Sequence, residues 1–145
     1  MSAAAGRLAE LLKTAPARLV EISDAEAANR PSGKWSKKEI LGHLIDSVAN
    51  NHQRIVRAQL VAHLDFPRYE QDTWVAAQGY REEPWPDLVN LWLLYNRHLL
   101  HIMSGVPAEC LSHTISIGGT MPITLGFLME DYLRHLEHHL EQIWG

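Results

Sequence analysis

Over residues 125–143 apolar side chains return at three- and four-residue intervals, at Leu125, Leu128, Met129, Tyr132, Leu136, Leu140 and Ile143. That is the period of a helix with one stripe to bury, and a stripe of this length demands a partner surface equally long. Thr124 can cap its first turn, and the helix is expected to end at Trp144. The same segment carries three of the chain's nine histidines. At about 100° per residue, His135 and His139 stand one above the other at the edge of the stripe, the spacing two imidazoles need to share one metal ion. His138 is turned away, towards the side of Asp131 and Arg134. One helix turn does not close a metal's coordination shell, so a metal site needs a third ligand from another helix. Without it the pair are hydrogen-bonded or solvated histidines at a bundle edge.

The rest of the chain has enough apolar material to bury that stripe. Its 145 residues, 46% of them hydrophobic, fit a single domain over residues 1–145. A net charge of −4 and the lack of any basic run interleaved with aromatics argue against a nucleic-acid partner. No window is apolar enough to span a membrane. The lone cysteine, Cys110, cannot form an internal disulfide, and the N-terminus has no apolar leader, so a reducing cytoplasmic location is expected. Cys110 reads as a small half-buried residue rather than a nucleophile.

Three further helices are expected. The first covers residues 3–22 with a kink or break at Pro16, and Pro31 and Gly33, within residues 29–34, end it. Ser36 followed by Glu39 forms a capping box that starts the second helix at Trp35 or Ser36, and the helix runs towards Leu64. Beside its apolar arc lies a polar seam of His43, Asp46, Ser47, Asn50 and Arg54. Such a seam usually means a solvated face. The alternative is a lined cleft in which His43 is a ligand and Asp46 or Asn50 orients a neighbour. Residues 65–85 read as an ordered loop with a short helix around residues 74–77, the sort of loop that walls a site. The third helix starts near Pro86 and stops at Gly105 and Pro107, with His98 at the core edge and His101 at the surface. Around Gly118-Gly119 a short hairpin or extended excursion precedes the last helix.

With His43 and the His135/His139 pair in hand, the chain resembles the DinB-like superfamily, closest to its bacillithiol-transferase (YfiT-like) branch. The matching segments are GKWSKKEILGHLIDS (residues 33–47), RYEQDTW (68–74) and ITLGFLMEDYLRHLEHHLEQI (123–143). The resemblance implies an all-α, four-helix bundle with up-down-down-up connections, commonly a homodimer. It also implies a divalent metal ion, zinc or nickel, held by His43, His135 and His139, with Asp46 as a neighbouring acid. Where the transferase branch often has another histidine, this chain has Gln142.

Three neutral imidazoles leave an ion its full charge and an open position, which suits activation of water or of a thiol. The expected activity is transfer of a low-molecular-weight thiol to a small electrophilic substrate. Metal-dependent hydrolysis and a non-catalytic metal-binding or structural bundle are the alternatives. Arg54, Tyr69 and Trp74 are candidates to line the thiol's pocket, although Arg54 also reads as a surface ion-pair partner.

Overall fold

The computed structural model describes residues 2–145. Four long helices make the bundle: α1 (Ala3–Val20), α3 (Lys37–Leu60), α5 (Trp85–Ser104) and α6 (Leu125–Trp144). Two short ones, α2 (Asp24–Ala28) and α4 (Gln71–Gln78), lie in the connections. Strands β1 (His63–Phe66), β2 (Thr114–Ile117) and β3 (Ile123–Thr124) form a small sheet in the order β1-β2-β3.

Contacts along the helices set their directions. Arg7 pairs with Glu130, and Arg18 lies over the Trp144 ring, so α1 and α6 run parallel. The indole of Trp85, at the start of α5, donates to the Leu19 carbonyl at the end of α1, so these two oppose. His43, near the start of α3, meets His135 and His139 in the second half of α6, so α3 opposes α6. The sense is therefore up-down-down-up. Because α3 and α5 run the same way, the chain must travel back along the bundle between them, and residues 61–84 make that return.

Local chemistry explains most boundaries. The Ser36 hydroxyl accepts from the Glu39 amide while the Glu39 carboxylate accepts from the Ser36 amide, so the expected capping box starts α3. Thr124 likewise accepts from the Phe127 amide and caps α6. In α1 the chain does not break at Pro16 but continues to Val20. The proline removes one helical hydrogen bond, and burial of Ala15 and Leu19 beside it holds the turn. Helix α3 stops at Leu60 rather than near Leu64, because His63–Phe66 pairs in parallel with Thr114–Ile117. The expected hairpin is present, with Thr114 opposite Thr124 and Gly118 and Gly119 at φ 63 and 77. The parallel strand β1 beside it has no local signature in the sequence.

One continuous core fills the bundle, with Trp92, Leu41, Leu44, Leu99, Met129 and Leu133 fully buried. Tyr132 and Asn96 form a polar contact inside it, the Tyr132 hydroxyl donating to Asn96 Oδ1 at 2.6 Å. His98 is exposed rather than at the core edge, and His101 is exposed as expected. No helix among the described residues is long and apolar enough to cross a membrane.

Candidate metal centre

The polar seam of α3 faces inward. His43, Asp46, Ser47 and Arg54 are all buried, with His43 at 1% exposure, so the solvated-face reading is overturned. Its physical cause lies outside the helix: α6 covers one flank of the seam, and residues 64–80 cover the other. Asn50 is the exception, half-buried, and its amide donates to the Asp46 backbone carbonyl instead of reaching a histidine.

Antiparallel packing of α3 on α6 brings His43 to His135 and His139. One ring nitrogen from each of the three lies within 4.8 Å of the others. His43 Nε2 and His135 Nε2 face each other at 3.1 Å. Tetrahedral zinc with bonds near 2.0–2.1 Å separates its nitrogen ligands by about 3.4 Å, so the donor set and its spacing fit a divalent ion. The rings meet edge to face, with centroids 4.5 to 5.0 Å apart. Burial, then the neighbouring imidazoles, pushes the pKa of His43 down to about 3. Burial and His139 push His135 down to about 4, and burial also lowers His139. All three are neutral at physiological pH, the state in which imidazole binds a metal.

The surroundings orient the triad. Gln142 Oε1 lies 2.8 Å from His139 Nδ1 and, as an acceptor, fixes the proton there, which leaves the Nε2 lone pair for an ion. Trp35 packs its ring against His43 with centroids 5.2 Å apart. Trp35 and Gln142, which touch His43 and His139, also line a groove of about 780 Å³ that the three histidines themselves do not line. His138 is exposed and outside the cluster.

Asp46 is buried three residues beyond His43 but bonds to none of the imidazoles. Its Oδ1 accepts from the Tyr80 hydroxyl at 2.6 Å and from Gln78 Nε2 at 2.8 Å. Burial raises its pKa, against the pull of those two donors. Tyr80 and Gln78 escaped sequence reasoning because they come from the return segment. A usable signal was Gly42 beside His43: a Cβ there would lie 2.1 Å from the Tyr80 ring, so only glycine lets the ring close over α3.

On the other side of His135 is a chamber of about 150 Å³, lined by Arg54 and Tyr69 among others. Trp74 does not line it; its half-exposed ring packs at a tilt against Tyr69, with centroids 4.9 Å apart. The Arg54 guanidinium lies 5.3 Å from the Phe66 ring centroid and 6.0 Å from that of Tyr69, and it is no surface ion-pair partner.

The DinB superfamily model matches residues 7–143. The chain belongs to the DinB superfamily. Two solved structures are similar to it. YfiT from Bacillus subtilis, a probable metal-dependent hydrolase with an unusual four-helix bundle topology, superposes with a TM-score of 0.83 at 19% identity, over 99% of this chain and 86% of YfiT. The DinB-like protein YjoA, also from Bacillus subtilis, gives a TM-score of 0.68 at 17% identity, over 99% of this chain and 88% of YjoA. At these identities the likeness shows the fold and no more. No curated protein matches the sequence.

Proposed function

We propose that this DinB protein is a metal-dependent enzyme acting on small molecules, with His43, His135 and His139 as the ligands of one divalent ion. The observation that carries the reading is the convergence of three neutral imidazoles from α3 and α6, within 4.8 Å, beside a chamber that His135 lines. When bound, such an ion retains its full charge and an open position, and supplies Lewis acidity that lowers the pKa of a water or thiol held there.

The chain's own residues favour thiol transfer, with zinc or nickel as the ion. No carboxylate among the described residues is hydrogen-bonded to the triad: Asp46 is engaged by Tyr80 and Gln78, and Asp131 pairs with Arg134. A thiol attacks as the thiolate and needs no base to take a proton during the step, whereas hydrolysis gains most from a positioned acid–base residue. His43, His135 and His139 would hold the nucleophile's site, Gln142 would keep His139 in the binding tautomer, and Trp35 would wall the groove that admits the thiol's larger portion. Hydrolysis is the second reading, supported by the likeness to YfiT, itself a probable metal-dependent hydrolase. A homodimer, expected from the family resemblance, is part of the same proposal.

The test is elemental mass spectrometry of the gently purified, untagged protein beside a His43→Ala variant. Near-stoichiometric divalent metal in the parent and little in the variant supports the site. Parent protein that takes up no zinc or nickel even on incubation would leave a structural bundle. A screen of thiols against electrophiles, run beside ester and amide substrates, then separates transfer from hydrolysis.

A further inference from the structure

We propose that Arg54 is the anchor for a substrate carboxylate, held in the chamber beside His135. The inference deepens the proposed function and rests on it for the reaction, but not for the binding.

Arg54 is 8% exposed, and its Nε has no hydrogen-bond partner among the described residues. No carboxylate among them forms an ion pair with it, although the chain pairs its other buried cation: Lys38, 3% exposed, lies 2.9 Å from Asp24. A buried guanidinium left without an acceptor is costly. The rings of Phe66 and Tyr69 hold it by their faces, at 5.3 and 6.0 Å, which orients the group yet accepts none of its in-plane N–H bonds. Those bonds are therefore available to a ligand.

Size, charge and place narrow the ligand. A chamber of about 150 Å³ takes a carboxylate with a short carbon chain and excludes a nucleotide or a whole peptide. Asp131 also lines it, but Arg134 pairs with that carboxylate, so Arg54 supplies one uncompensated positive charge. A monoanionic carboxylate neutralises it and matches the planar fork with two parallel hydrogen bonds, whereas a phosphate dianion would leave excess negative charge beside Asp131. The buried Ser47 hydroxyl, which accepts from Asn51 Nδ2 at 3.4 Å, keeps its own proton for a ligand on the same wall. His135 lines the chamber too, so an acid anchored at Arg54 would direct its other end towards the three histidines. The substrate class that follows is a short-chain carboxylic acid with its reactive centre a few bonds from the carboxylate.

The test follows the Arg54 Nε–H signal by NMR in the full-length protein, both as purified and after chelator treatment, so that binding of the acid to an ion cannot report. Propionate and inorganic phosphate are the probes. Expected is a saturable shift of the Arg54 signal with propionate in both samples and weaker binding of phosphate. Followed through the Ser47 and Asn51 amides, affinity for propionate should drop by about tenfold or more in Arg54→Gln, and by less in Arg54→Lys, which keeps the charge without the fork. No shift with propionate, tighter binding of phosphate, or unchanged affinity in Arg54→Gln would overturn the anchor. Because the chelated sample needs no ion, failure here is distinct from failure of the metal site, which metal content reads separately.

Discussion

Gln142 commits the Nδ1 proton of His139 and so decides which nitrogen is free. Outer partners of this kind typically change metal affinity by about 10- to 100-fold. Gln142→Ala should therefore weaken zinc binding within that range in a chelator competition, with the protein still folded. His139→Ala should abolish retention of the ion, and His138→Ala should leave it intact; a His138 variant that lost the metal would mean that the other face of α6 carries the site. At this scale the sequence was informative where helical period alone decides. The position of His135 and His139 on the stripe edge, with His138 outside, follows from about 100° per residue. The role of Gln142 also has a local cause, lying three residues from His139 on one helix. That of Asp46 has none, because Tyr80 and Gln78, more than thirty residues away, decide whom it bonds.

Helix α3 carries the densest demands of any element: a capping box at one end, the site face in its middle and a glycine where another segment presses in. Gly42→Ala would place a methyl against the Tyr80 ring. The ring cannot yield without releasing its hydrogen bond to Asp46, so the variant should lose about 1–3 kcal/mol of stability in urea unfolding. A loss below a few tenths of a kcal/mol would mean that the return segment adapts freely. The strands teach a related lesson. Residues 114–124 announce a hairpin through Gly118-Gly119, whereas residues 63–64 read as the tail of a helix and 65–66 as the start of a loop. Pairing of β1 with β2 wins there because it satisfies a row of backbone groups and seats Phe66 and Tyr69 over Arg54.

For the whole molecule, the triad is a clasp between α3 and α6. Loading it should stabilise the fold by mass action, about 2.7 kcal/mol at a hundredfold excess over Kd, seen as a rise in Tm that His43→Ala abolishes and His138→Ala preserves. Without metal the same histidines make stability depend on pH. Their folded-state pKa values lie below the ordinary 6.5, at about 3 for His43 and about 4 for His135, so the unfolded chain takes up protons first. Stability is complete above about pH 6.5 and falls as the pH drops through about 4, where His135 protonates, towards about 3, where His43 does. Buried Asp46 acts with the opposite sign, its pKa being raised, but it is one group against three. Urea unfolding of the metal-free protein at pH 7, 6 and 5 should show the decline, and His43→Gln should flatten it.

The sequence by itself determined the helical bundle, its caps and the two histidines of α6, because period and capping act within a few residues. It also carried the family resemblance that pointed to His43. What only the tertiary structure decided is which side of α3 meets solvent. The same run of His43, Asp46, Ser47 and Arg54 fits a wet surface or a closed cleft. The choice lies with α6 and the return segment, whose packing buries the run and leaves Arg54 a cation without an ion-pair partner among the described residues.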